Sequence, residues 1–226
     1  MRLAAAPLAR VVSATRRRAV FIDKDGTLVE NVPHNVDPTL LRFTSRATEG
    51  LRRLAEAGYL LIVVSNQPGV AQQRFDKAAL EALAVALGEK LAGEQVHLDG
   101  FYACPHAPAG ELVGGRCRCR KPAPGLLLEA ARDHGIDLGR SWIVGDILDD
   151  VEAGWRAGCG SVLMDVGNET DWQRSPIRIP NFRVQDLAAA AESILSSPAA
   201  VRARGLLRRP TIRRPVDAAA RARRVA

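Results

Sequence analysis

Residues 19–27 read AVFIDKDGT, a short apolar run that ends in two carboxylates separated by one lysine. Asp23 and Asp25 repel each other at this spacing, so ionising both is costly unless a cation lies between them or one keeps its proton. Gly26 then allows the chain to turn sharply. The same residues could form an ordinary Asp-x-Asp-Gly turn. The segments that surround them decide between these two interpretations.

The rest of the chain alternates apolar, β-branched segments with segments of helical periodicity. The predicted strands are 19–23, 60–65, 141–145 and 161–166, and the predicted helices are 48–59, 76–93, 124–135, 149–158 and 184–195. Asp76 is expected to cap the second of these helices. The alternation predicts an α/β fold, a three-layer, doubly wound, parallel sheet of the Rossmann-like kind. The stretches between the polar motifs are too short for a large cap domain.

Polar residues follow three of the predicted strands. Asp23 ends the first strand, Ser65 and Asn66 end the second, and Asp146 follows the segment SWIVG at 141–145. Ligands of open parallel sheets bind beyond the carboxyl ends of the strands. Asp146 could therefore join Asp23 and Asp25 in an oxygen cage for Mg²⁺, a hard cation that binds few carboxylates.

Three of the four cysteines lie in one Gly- and Pro-rich loop, 104–119. Cys104 and His106 stand at one end of the loop, and Cys117 and Cys119 stand at the other. These four ligands suit a tetrahedral Zn²⁺ site with no open position, which would be structural. Cys104 and His106 could instead be coincidental loop residues. The few cysteines and their spacing do not fit a disulfide scaffold, which favours a reducing, cytoplasmic compartment.

The net charge of +7 is concentrated at the two ends of the chain. Residues 1–18 carry five arginines and no acidic residue, and residues 201–226 carry nine arginines and one aspartate. We expect 1–18 and 197–226 to be disordered extensions of a domain at 19–196 that includes the loop 104–119. The alternatives are that 1–18 is a transit peptide and that the tail 197–226 binds an anionic partner. No apolar run approaches the ~20 residues of a membrane span.

Four motifs occur in an order that resembles the phosphatases of the haloacid dehalogenase superfamily. They are DKDGT, VVSN, the lysine of RKP, and GDILDD. The segment SNQPGVA and the pattern Cys-x-His…Cys-x-Cys followed by Arg-Lys-Pro are similar to those of two families within it. These are the D-glycero-D-manno-heptose 1,7-bisphosphate 7-phosphatases and the related histidinol-phosphate phosphatases. The resemblance covers residues 19 to about 196.

The resemblance implies a role for each matching residue. Asp23 would be the nucleophile that forms an aspartyl-phosphate, and Asp25 the general acid and base. Asp150 would orient this group of site residues. Mg²⁺ would be held by Asp23, the backbone carbonyl of Asp25, and Asp146. The residues that would hold the substrate and its phosphate are Ser65, Asn66, Arg120 and Lys121.

The implied function is Mg²⁺-dependent hydrolysis of a small sugar phosphate, with a heptose 1,7-bisphosphate converted to the 1-phosphate as the leading expectation. Three departures weaken the substrate assignment: Ile147 stands where the family suggests a lysine, ENVPHNVDP follows the nucleophile loop, and Pro68 replaces a small hydroxyl residue. The alternatives are a histidinol-phosphate phosphatase, a nucleic-acid 3′-phosphatase and a non-catalytic phosphosugar-binding protein. We expect a monomer whose partner is a small phosphorylated metabolite rather than nucleic acid.

Overall fold

A computed structural model describes residues 16–108 and 117–197 of the chain. Most of the two Arg-rich extensions, and the middle of the loop 104–119, lie outside these residues. The prediction that the extensions are disordered therefore concerns residues that are not described. All residues named as candidate site residues are described.

Six parallel strands form one sheet in the described part of the chain. Their order across the sheet is β3-β2-β1-β4-β5-β6, which confirms the predicted Rossmann-like arrangement. The strands are β1 Arg18–Ile22, β2 Tyr59–Asn66, β3 Gly100–Cys104, β4 Trp142–Gly145, β5 Gly160–Met164 and β6 Phe182–Val184. The order reverses between β1 and β4, and such switch points are where open α/β sheets bind their ligands.

Five α-helices of the described residues cover both faces of the sheet. They are α1 Ala47–Glu56, α2 Lys77–Gly93, α3 Gly125–His134, α4 Leu148–Ala157 and α5 Leu187–Ser196. Alternate β1 residues point to opposite faces: Val20 and Ile22 pack with α1, α2 and α5, whereas Ala19 and Phe21 pack with α3 and α4. Burial on both faces explains why the strands are apolar runs rather than alternating patterns.

Two helix ends show clear capping chemistry. The Asp76 carboxylate accepts a hydrogen bond of 2.7 Å from the Ala79 N–H at the start of α2. Gly135, with φ +63°, ends α3 in the left-handed conformation that glycine adopts without steric cost. The helical periodicity predicted for 76–93 is only partly matched by the burial of α2. Its buried stripe is present, but Val85 is 62% exposed.

Within residues 16–108 and 117–197, none of the helices combines the length and the apolarity that crossing a membrane requires. The described chain also shows no large domain inserted between the elements of the sheet. The connections that follow β1, β2, β3 and β4 leave the sheet at its carboxyl edge. That edge is therefore where the predicted site residues meet.

Candidate active site

The loop after β1 turns back on itself within a few residues. Asp23 is anchored by its backbone N–H, which donates to the Val144 carbonyl of β4 at 2.9 Å. Gly26 has a φ of +85°, and its N–H donates to the Val29 carbonyl at 2.8 Å. This left-handed turn holds Asp23 and Asp25 at the switch point of the sheet.

The Asp25 carboxylate accepts two side-chain hydrogen bonds. Lys24 Nζ lies 2.5 Å from one oxygen, and Gln67 Nε2 lies 2.8 Å from the other. Burial raises the pKa of Asp25, the Lys24 ammonium works against this, and the negative charge of Asp23 adds to the rise. A carboxyl with a raised pKa is suited to donate a proton near neutral pH.

Lys121 is fully buried among acceptors at the floor of the site. Its ammonium group donates to Asp23 Oδ1, to the Val64 carbonyl at 2.9 Å, and it lies 2.7 Å from Asp150 Oδ1. Burial opposes its charge, but the Asp150 and Asp23 carboxylates outweigh burial and raise the pKa of Lys121. The lysine is therefore a fixed positive charge beside Asp23.

The side chain of Asn66 is engaged by the backbone of Lys121. Asn66 Nδ2 donates to the Lys121 carbonyl at 3.1 Å, and the Lys121 N–H donates to Asn66 Oδ1 at 3.0 Å. This paired contact joins the end of β2 to the loop after β3. The neighbouring Ser65 hydroxyl is buried and accepts from Gln67 Nε2 at 2.8 Å.

Asp146 follows β4 and faces the nucleophile loop. Thr27 Oγ1 donates to Asp146 Oδ1 at 3.1 Å, and Asn168 Nδ2 donates to Asp146 Oδ2 at 2.7 Å. Burial and the negative charge of Asp23 raise the pKa of Asp146 to about 6. The carboxylates of Asp23 and Asp146 both lack a full set of hydrogen-bond donors, so a cation between them would relieve their repulsion.

The carboxylate oxygens of Asp23, Asp146 and Asp150 lie within 4.8 Å of one another. This donor set of hard oxygens fits a small divalent cation. Asp150 and Asp23 share the Lys121 ammonium, which leaves Asp146 as the carboxylate of the three without an ion pair. The side chain of Asp25 turns away toward Lys24 and Gln67, so only its backbone could join this cluster.

The four sulfur and nitrogen ligands predicted for the loop 104–119 converge in space. Cys104 Sγ lies 3.3 Å from Cys119 Sγ and 3.7 Å from Cys117 Sγ. His106 Nδ1 lies 3.2 Å from Cys119 Sγ. These separations are near the edges, about 3.5–3.8 Å, of a tetrahedron with 2.0–2.3 Å zinc bonds. The cluster can therefore hold one metal ion.

Arg120 connects the Cys/His cluster to the site. Its backbone N–H donates to Cys117 Sγ at 3.4 Å, and its guanidinium donates to the His106 carbonyl at 3.3 Å. Arg120 and Lys121 both line a cavity of about 220 Å³ at the carboxyl edge of the sheet. The predicted residues Asp23, Asp25, Ser65, Asn66 and Asp146 also line it.

Sequence reasoning missed several residues of this cavity. Asn31, Asp149 and Asn168 line it, and Gln67 holds Asp25 and Ser65 from behind. The position of Gln67 in SNQPGVA, directly after Ser65 and Asn66, was a signal for its proximity. No comparable pattern marks Asn31 or Asn168, because each reaches the cavity from a loop without a motif.

Comparisons with known proteins match most of the described fold. A family model described as HAD-hydrolase-like matches residues 118–190. The D-glycero-β-D-manno-heptose-1,7-bisphosphate 7-phosphatase of Salmonella typhi is 38% identical over an alignment of 167 residues, and the match covers 68% of this chain and 88% of that protein. The protein of the same name from Escherichia coli K12 is also 38% identical, over 68% of this chain and 86% of its own length.

Two solved structures share the fold with more than a quarter of the residues identical. A D,D-heptose 1,7-bisphosphate phosphatase from B. bronchiseptica, in complex with magnesium and phosphate, has a TM-score of 0.64 and 28% identity. The match covers 79% of this chain and 98% of that chain. A putative HAD-like phosphatase from Mesorhizobium loti has a TM-score of 0.67 and 31% identity, over 79% of this chain and 88% of its own.

Proposed function

The chain belongs to the D-glycero-β-D-manno-heptose-1,7-bisphosphate 7-phosphatase family of the haloacid dehalogenase superfamily, and from this premise we propose that it removes the 7-phosphate of such a bisphosphate. It is a phosphatase, and the fold is that of a phosphomonoester hydrolase. The observation that carries the assignment of roles is the meeting of Asp23, Lys121 and Asp146 at the switch point of the sheet.

In the first step, Asp23 attacks the phosphorus of the substrate. A bond forms between its carboxylate oxygen and phosphorus, and the bond between phosphorus and the sugar oxygen breaks. Asp25 gives its proton to the departing sugar oxygen, a role for which its raised pKa suits it. The Lys121 ammonium, held beside Asp23, stabilises the charge on the phosphoryl oxygens.

In the second step, water attacks the phosphorus of the aspartyl-phosphate. Asp25, now ionised, takes the proton of this water, so it ends the cycle protonated as it began. The bond between phosphorus and the Asp23 oxygen breaks, and inorganic phosphate leaves. Gln67 holds the Asp25 carboxyl through both steps. The Ser65 hydroxyl and the backbone amides near Asn66 would donate to the phosphoryl oxygens, and this role is supported by the position of Ser65 and Asn66 on the cavity wall.

We assign Mg²⁺ to Asp23, Asp146 and the backbone carbonyl of Asp25, and a structural Zn²⁺ to Cys104, His106, Cys117 and Cys119. When bound, Mg²⁺ offsets the repulsion between the Asp23 carboxylate and the phosphate dianion. The Cys/His cluster has four protein ligands, which leaves no position for water, so its metal is structural. Its contribution is to hold Arg120 and, through the next residue, Lys121.

The remote part of the substrate meets Arg120, Asn31 and Asp149 on the cavity wall. Arg120 is suited to the second phosphate, because a guanidinium presents several donors to phosphate oxygens. Asp149 is partly neutralised by Arg178, which lies 2.7 Å away. A carboxylate at this wall would also suit the amine of histidinol phosphate, and this is why that compound is the second candidate substrate.

We further propose that the chain acts as a monomer on this metabolite. The described residues of one chain supply the nucleophile loop, the lysine and the acidic cluster without a second copy. Light scattering during size-exclusion chromatography should give the mass of one chain. The cytoplasmic location stays a prediction from the cysteine content.

A substrate panel tests the proposal. Phosphate release from the heptose 1,7-bisphosphate, histidinol phosphate and a 3′-phosphorylated oligonucleotide is measured with the full chain and Mg²⁺, and Asp23→Asn serves as the blank. We expect the heptose bisphosphate to give the highest kcat/KM. A higher kcat/KM for histidinol phosphate would replace the substrate assignment and keep the chemistry. Equal rates for Asp23→Asn and the unchanged chain would overturn the chemistry itself.

A further inference from the structure

The loop that follows β5 reaches across to the start of α4. Gly167, with a φ of +90°, turns the chain after β5, and the next two residues, Asn168 and Glu169, point back to the loop that carries Asp146. We call residues 167–169 the Asn168 loop. No motif of the sequence singles it out, and no step of the mechanism above uses it.

Asn168 shares the Asp146 carboxylate with one other side chain. Its Nδ2 donates to Asp146 Oδ2 at 2.7 Å, while Thr27 Oγ1 donates to Oδ1 at 3.1 Å. Because each oxygen receives one donor, the rotation of the carboxyl group is fixed. Each oxygen still has a lone pair free for a cation, since an ionised carboxylate offers about four acceptor positions.

The nucleophile loop packs directly against this contact. A Cβ atom at Gly26 would lie 2.2 Å from Asp146 Oδ2 and 2.6 Å from Asn168 Nδ2. Any side chain at this position would therefore displace both groups. The absence of a side chain at Gly26 lets the Asp146 and Asn168 side chains meet beside Asp23 and Asp25.

Glu169 ties the Asn168 loop to the backbone that carries Asp146. Its Oε2 accepts from the Leu148 N–H at 2.6 Å, and its Oε1 accepts from the Asp171 N–H at 2.8 Å. Ile147, the residue at the N-cap of α4, provides no side-chain cap. Glu169 thus satisfies an N–H of the first turn of α4 from 21 positions away.

We propose that Asn168 is a positioning residue for the cation site: it holds the Asp146 carboxylate in its ligating orientation, and Glu169 anchors the loop that carries it. The proposal rests on the assignment of Asp146 as a Mg²⁺ ligand. A neutral amide suits this role, because it donates a hydrogen bond without bringing a positive charge that would compete with the cation. Partners that orient metal ligands in this way typically contribute 10–100-fold to metal affinity.

Calorimetric titration of the purified full chain with Mg²⁺ tests the proposal without substrate. Asn31 provides the matched control, because it is a second exposed asparagine on the wall of the same cavity. We expect Asn168→Ala to weaken Mg²⁺ binding about tenfold and Asn31→Ala to leave it unchanged. Glu169→Ala should weaken it to a smaller degree and also lower the melting temperature, since α4 loses its cap.

Two further measurements separate the possible outcomes. Without Mg²⁺, Asn168→Ala should melt only about 2–4 °C below the unchanged chain, because it loses one hydrogen bond to Asp146 and no core contact. Asp146→Asn should abolish Mg²⁺ binding. If Asp146→Asn abolishes binding while Asn168→Ala binds like the unchanged chain, the positioning role is overturned and the proposed function stands. If the unchanged chain binds no Mg²⁺, both are overturned.

Discussion

Replacing Asn66 by alanine removes two hydrogen bonds that hold the backbone of Lys121. The amide of Asn66 donates to the Lys121 carbonyl at 3.1 Å and accepts from its N–H at 3.0 Å. Both Lys121 backbone groups would lose these partners in a position where the lysine side chain is almost fully buried. The substitution therefore affects the lysine beside the nucleophile without changing the lysine itself.

The expected loss of stability follows from the two bonds. A typical intramolecular hydrogen bond contributes about 1 kcal/mol net, so we expect a loss of about 2 kcal/mol in the free energy of unfolding. For a domain of this size that loss lowers the melting temperature by about 4–8 °C. Turnover should fall by about 100-fold, since a displacement of about 1 Å at a reacting group can cost that much.

Urea denaturation measures the stability, and phosphate release measures the turnover. Asn181→Ala is the matched control, because Asn181 also accepts from a backbone N–H, that of Ser161 in β5, at 2.8 Å. It lies in the β5–β6 connection, outside the proposed site. We expect Asn181→Ala to lose about 1 kcal/mol and to keep its turnover. Asn66→Asp should be impaired like Asn66→Ala, because a carboxylate cannot donate to the Lys121 carbonyl.

Two results would refute this reasoning. If Asn66→Ala unfolds at the same urea concentration as the unchanged chain, the paired contact does not stabilise the loop. If it loses stability as expected but keeps full turnover, the position of Lys121 does not depend on Asn66. In that case the lysine would be held by its side-chain contacts with Asp23, Asp150 and the Val64 carbonyl alone.

Three further predictions concern the Cys/His cluster, the packing below the site and the cation. Cys117→Ser should lose zinc, measured by atomic absorption, together with phosphatase activity; a zinc-free variant with an unchanged turnover rate would separate the cluster from catalysis. Gly145→Ala should destabilise the fold by about 3 kcal/mol in urea, since a Cβ there would lie 2.2 Å from the buried Asp150 carboxyl. At Gly88, inside α2, an added Cβ would meet nothing within 4 Å, so Gly88→Ala should stabilise the fold by about 0.5–1 kcal/mol. An equal effect of the two substitutions on stability would contradict the packing argument. Mg²⁺ binding should weaken about tenfold between pH 7 and pH 5. The reason is that the pKa of Asp146 is raised to about 6, and below this pH protons compete with the cation for the carboxylate. Calorimetric titrations that give the same Mg²⁺ affinity at the two pH values would count against Asp146 as a ligand.

The alternation of strands and helices was predictable because each element carries its own local signal. The Asp76 cap of α2 and the glycine that ends α3 are examples in which one residue marks a boundary. The strand β6, Phe182–Val184, was missed because three residues are too few to show a period. The order of strands depends on which faces the crossover helices cover, and no local pattern records that choice.

The site was predictable where its residues lie in motifs at strand ends, as Asp23 and Asp146 do. Contacts between loops that are distant in sequence were not predictable. The burial of Lys24 was not predictable either: it is bonded to its neighbour Asp25, although a lysine between two aspartates suggests a solvated side chain. The side chain of Asn66 holds the Lys121 backbone, a contact that its position next to Ser65 does not predict. Residue type and spacing do not reveal which of several possible partners an amide selects.

The central claim is that Asp23 forms a covalent bond with phosphorus. The most direct test quenches the Mg²⁺-loaded chain during turnover of its preferred substrate and reduces it with borohydride, which converts an aspartyl-phosphate to homoserine. Peptide mass spectrometry then locates the modified position. We expect homoserine at position 23 and unmodified aspartate at position 25. Modification at position 25, or turnover without modification at position 23, would contradict the account.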